Sequence, residues 1–208
     1  MQWYISQWAS LADYEESNGK CMVRPLCGDQ QENRSGMIVE INGKRPHIDP
    51  KAFVVDSAMV IGDVVVGTGA NIWFQSIIRG DTNYIRIGAN CNIQDACILH
   101  VVKGRYPVIL EDDVVLGHRA VVHGCHIKKG SLIGIGAIVL DGAVIGEESI
   151  IGAGSVVSPR TVVPPRALVL GTPARVIRSL LENDIRMIQE MANQYLELKE
   201  IYRQALPR

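Results

Sequence analysis

Aromatic side chains are scarce, at 5% of the 208 residues with only two Phe. A conventional sandwich or α/β core is not built from so few rings. Excess charge of one sign is missing too. There are 21 Lys and Arg against 22 Asp and Glu, a net charge of −1. That balance provides no basic footprint, so no nucleic acid and no membrane surface is expected as partner. No uninterrupted apolar run reaches the ~18 residues of a membrane span. The N-terminus, MQWYISQWASLADYEESNGK, carries acids early and has no basic start followed by an apolar block. It does not read as a signal peptide. The five cysteines, at 21, 27, 91, 97 and 125, form no CxxC pair. Reduced, small core residues in a cytoplasmic protein are the expected reading. A redox or ligand role for Cys125 is the lesser alternative.

The chain is instead rich in glycine, 20 residues, and in β-branched aliphatics arranged with a period. Stepping by six from Ile127 meets Ile133, Val139, Ile145, Ile151, Val157 and Val163. The residue four after each is small: Ser131, Ala137, Ala143, Ser149, Ser155, Thr161 and Ala167. The pattern runs earlier with slips. Val66, Ile72 and Ile78 are followed by Ala70, Ser76 and Thr82, and Ile87, Ile93 and Leu99 place Cys91 and Cys97 in small positions. Leu110, Leu116 and Val122 complete the set. The stretch HVVKGRYPV holds a five-residue insertion and reads as a protruding loop. A short strand plus a tight corner, repeated, closes a triangular prism of about 18 residues per coil. From Val55 to Ala167 this gives roughly six coils. The expected fold is all-β, a parallel β-helix over residues 37–178, with the lead-in from Met37 as its first coil. Residues 179–208 are expected to form a C-terminal helix on one wall, because Ile185, Ile188, Met191, Ala192, Tyr195, Leu198 and Tyr202 recur at three and four. Residues 1–36 read as a disordered tail or as sequence upstream of the true start.

Three of the five histidines fall within LGHRAVVHGCH. His100 follows Leu99 by one residue and His123 follows Val122 by one, which gives both the same offset on the same wall, one coil apart. Adjacent strands lie about 4.8 Å apart, so the two imidazoles can share a metal. His118 belongs to the neighbouring wall and points elsewhere. Catalytic zinc usually takes three protein ligands, so His118 would complete the pair of an adjacent chain around a threefold axis. His47 and His126 read as ordinary surface residues.

RGDTNYIRIG, NIQDACILH, LGHRAVVHGC and GTPARVI closely resemble the γ-class carbonic anhydrases, from about Met37 to Tyr202. The resemblance implies a left-handed β-helix and a homotrimer. It implies a metal at subunit interfaces, bound by His100 and His123 of one chain and His118 of the next. Zn2+ is the default, with Fe2+ or Co2+ as alternatives. It further implies reversible hydration of CO2 to bicarbonate by metal-activated water. Asn92 and Gln94 match pocket-lining residues, Gln94 orienting the reacting oxygen. Tyr195 matches a tyrosine of the C-terminal helix near the metal. Arg79 and Asp81 match a pair thought to join subunits. The archetype's long acidic loop is short and basic here, and Thr82 stands where it has a glutamate. Three other functions remain open: a metal-dependent CoA-thioester hydrolase using Lys103, Arg105 and Arg119, a hexapeptide acyltransferase, and a non-catalytic trimeric scaffold.

Overall fold

The computed structural model describes residues 37–206, and the expectations for residues 1–36, including Cys21 and Cys27, lie outside it. The chain forms a left-handed parallel β-helix closed by one C-terminal helix, Glu182–Ala205. Most strands are two or three residues long. Each ladder follows from the period. Ile87, Leu110, Ile127, Ile145 and Val163 stack on the first wall. Ile72, Ile93, Leu116, Ile133, Ile151 and Val169 stack on the second. Ile78, Leu99, Val122, Val139 and Val157 stack on the third. These inward residues are buried and form one continuous core. Truncating one of them to Ala leaves a cavity costing about 2–5 kcal/mol.

The corners explain the small residues. Ala137 N donates to Gly134 O at 3.0 Å and Ala120 N to Gly117 O at 3.0 Å, each closing a four-residue turn. The third residue of each turn is left-handed, Gly136 at φ 65° and Arg119 at φ 59°, as a type II turn requires. The small side chain that follows fills the inside of the corner, and Ser131, Ala137, Ala143, Ser149, Cys91 and Cys97 are all buried. Cys125 takes such a place too, preceded by left-handed Gly124.

The seven parallel strands of the second wall, from Phe53–Val54 to Ala167–Gly171, make about seven turns, the roughly six expected from Val55 together with the lead-in coil. One expectation is corrected. Thr82 fills no corner. The strand Ile77–Ile87 runs unbroken past it, joining the third wall to the first, and Thr82 is exposed. The inserted loop leaves after Ile98–His100 and returns at Val108–Leu110. Its neck is closed by the pairing of Val102 with Tyr106.

The helix lies on the second wall and runs back toward the first coils. Ile185 and Ile188 pack on the outward side chains Val115, Leu132 and Ile150. Further along, the Trp73 ring meets Tyr195 at 5.4 Å and Tyr202 at 5.1 Å. Lys199 Nζ donates to Gly69 O at 2.8 Å. Among the described residues no helix is long and apolar enough to cross a membrane.

Candidate metal centre

His100 and His123 are directly paired across neighbouring strands of the third wall. His100 Nδ1 and His123 Nε2 lie 3.0 Å apart. Two ligand atoms on a tetrahedral zinc are about 3.4 Å apart at bonds of about 2.1 Å, so the pair is within a few tenths of an ångström of one edge of such a site. The strand before them adds Arg79, in register with His100. Arg79 forms an ion pair with Asp81 within this chain, and Asp81 Oδ1 lies 3.2 Å from His100 Nε2. Burial draws the His100 imidazole below the usual histidine value, against the opposing pull of Asp81. That favours the neutral ring, the form that binds metal. Burial alone would raise the Asp81 carboxyl, but hydrogen bonds from Arg79 and His100 outweigh it and hold it low.

His118 stands apart, in the corner between the second and third walls. Its Nδ1 is 2.7 Å from Asp95 Oδ2, and its backbone N–H donates to Gln94 Oε1 at 3.1 Å. Its Nε2 faces the Tyr195 hydroxyl at 3.4 Å. Burial, then the charge of Asp95, raises the Tyr195 pKa, so its phenol keeps its proton. Gln94 is itself buried, with Ser76 Oγ donating to its carbonyl at 2.8 Å. The structure thus gathers Arg79, Asp81, His100 and His123 in one group and Gln94, His118 and Tyr195 in another. Among the described residues of one chain, no three His, Cys, Asp or Glu side chains converge as a metal cage. Asn92 joins neither group by a hydrogen bond. It continues the outward row of Val115, Leu132 and Ile150 on the second wall, is 0% exposed, and neither of its amide atoms has a partner.

Sequence reasoning missed two carboxylates. Asp141 Oδ1 lies 2.5 Å from His123 Nδ1, and Asp95 holds His118. With Asp81 at His100, each of the three histidines has its own carboxylate, a common support for metal-binding imidazoles. Asp141 follows His123 by 18 residues, one coil, and that spacing is a legible signal. His126 is half-buried and paired with Glu111 at 2.7 Å, whereas His47 is exposed. Burial pushes the thiols of Cys91, Cys97 and Cys125 up to about 12, which keeps them protonated at neutral pH.

Repeat and fold define a hexapeptide-repeat protein, and residues 124–159 match the family described as Bacterial transferase hexapeptide (six repeats). A probable carbonic anhydrase of Methanocaldococcus jannaschii is 51% identical over 147 residues, 71% of this chain and 92% of that protein. Gamma carbonic anhydrase 1, mitochondrial, of Arabidopsis thaliana is 37% identical over 178 residues, 83% of this chain and 65% of that one. The crystal structure of a Bacillus cereus protein named as an acetyltransferase superposes with a TM-score of 0.80 at 46% identity. It covers 82% of this chain and 98% of the other. The chain belongs to the γ-class carbonic anhydrase family and is a carbonic anhydrase-like enzyme.

Proposed function

We propose that the protein hydrates CO2 reversibly to bicarbonate and a proton, as a homotrimer with its metal sites between subunits. His100 and His123 of one subunit and His118 of the next would hold the metal. The observation that carries this reading is the in-register pair, 3.0 Å apart, beside a third histidine presented on a different corner. Zn2+ suits three imidazoles, and Fe2+ or Co2+ fits the same donors. When bound, the metal acidifies a water so that it can attack CO2 at neutral pH.

The chain's own residues have separate tasks. Asp81, Asp95 and Asp141 fix the imidazole rings. Tyr195 keeps its proton and faces His118, where it can donate a hydrogen bond. Gln94 holds the His118 backbone and lines that corner. Asn92 contributes a buried amide whose two polar atoms have no hydrogen-bond partner within the chain.

The surface supports association. The helix covers the second wall, but the outward row of the third is aliphatic and bare. It runs Met37, Met59, Ile77, Ile98, Val121, Ile138 and Val156. Met37 is 56% and Ile98 42% exposed in one chain. His100 and His123 lie beside this row, so a subunit packed there would meet them. Arg79 and Asp81 sit at the same edge.

The test mixes two inactive variants. His100→Ala and His118→Ala proteins, unfolded together and reassembled, give trimers in which some junctions retain all three histidines. Recovery of metal-dependent CO2 hydration is expected. No recovery in intact mixed trimers overturns the shared site. A metal-free protein that transfers the acetyl group of acetyl-CoA to an acceptor would replace hydration with acyl transfer, and a metal-loaded protein that hydrolyses acetyl-CoA but does not hydrate CO2 would replace it with thioester hydrolysis.

A further inference from the structure

We propose that Asp141 is a positioning residue. Its carboxylate holds Nδ1–H of His123 and so turns Nε2 of that ring toward His100. The proposal deepens the metal-binding reading above and rests on it. A neutral imidazole has two tautomers, and only the nitrogen without hydrogen can bind a metal. Strand pairing fixes the backbone of His123, but it fixes neither the ring's rotation nor its tautomer. Asp141 supplies both constraints from the opposite side of the ring, with Oδ1 2.5 Å from Nδ1.

The carboxylate is itself held on a rigid corner. Gly142 N donates to Gly124 O at 2.6 Å, and Arg160 N donates to Asp141 O at 2.8 Å. The Tyr106 ring, brought by the inserted loop, covers that corner. A Cβ at Gly142 would lie 3.0 Å from its Cε1, and one at Gly124 would lie 2.9 Å from its Cβ. His126 shows that a carboxylate partner alone does not make a site, since it pairs with Glu111 and meets no second imidazole in the hydrogen bonds described. His123 differs because its remaining nitrogen lies 3.0 Å from His100. A negative charge on the far side of the ring also makes that nitrogen a stronger donor.

The experiment uses the full chain with Asp141→Ala and Asp141→Asn, and Glu147→Gln as an exposed-carboxylate control. Two-bond 1H–15N spectra of the metal-free proteins report the His123 tautomer. The unaltered protein and the control should show Nδ1–H, whereas both Asp141 variants should show a mixture. Competition of Co2+ and Zn2+ against a chelator should show affinity about 10–100-fold weaker for Asp141→Ala. Asp141→Asn should lie between, because its amide oxygen still accepts but carries no charge, and its shape protects the fold. An unchanged tautomer with affinity within about twofold of the unaltered protein, in either folded variant, would overturn the proposal. If no protein binds metal, the metal-binding reading fails, and the tautomer spectra still decide the role of Asp141.

Discussion

The Tyr195 hydroxyl lies 3.4 Å from His118 Nε2, a contact that spans 77 residues of chain. It exists because Trp73 wedges between Tyr195 and Tyr202 and sets the register of the helix on the wall. Tyr195→Phe keeps that ring packing and removes only the hydroxyl. Thermal unfolding should therefore change by under about 1 kcal/mol. CO2 hydration, measured by stopped flow, should fall about tenfold, the worth of one hydrogen bond of about 1.4 kcal/mol. Burial raises the phenol's pKa, so the loss should stay constant from about pH 6 to 9. A loss that appears only at high pH would contradict this.

Asn92 separates stability from activity. A buried amide without partners costs about 1–3 kcal/mol, and the next residue in its row is Val115. Asn92→Val should raise the denaturation midpoint by an amount worth about 1 kcal/mol and lower the hydration rate. Equal rates in the two proteins would make Asn92 a mere packing defect.

Helix docking should depend on acid. Arg178 and the Leu181 N–H hydrogen-bond to Asp184 and hold its carboxyl down to about 2, from an ordinary 3.8. Because the folded value is the lower one, this stabilisation is complete above pH 3.8 and fades as pH falls toward about 2. Far-UV circular dichroism of the unaltered protein and Asp184→Asn should converge in that window and differ above it. A constant difference down to pH 2 would contradict the assignment.

The ladders were legible because each inward residue needs only its own period. Ile127 to Val163 and their small partners can be read without knowing a single contact. Cys125 was harder, since Ile127 follows Val122 by five positions instead of six and the corner moves. Thr82 misled for a related reason: Ile87 comes nine positions after Ile78 instead of six, and the chain spans them as one extended strand. The histidine pair was legible as a register, and that register is observed. Of the supporting carboxylates, Asp141 lies one coil after His123 and could have been found by the same register. The loop insertion hides the link from Asp95 to His118. The aromatic cluster of Trp73, Tyr195 and Tyr202 depends on how far the helix slides along the wall, which no period encodes.

The inserted loop departs from one rung and rejoins the ladder on the next rail, with Val108–Leu110 pairing as any other strand does. Its length and charge are therefore decoupled from the backbone register of His100 and His123. Descendants of this architecture can lengthen, shorten or recharge that protrusion, and so retune what approaches the pair, while the strand register that sets the two histidines side by side stays an inherited constant of the backbone.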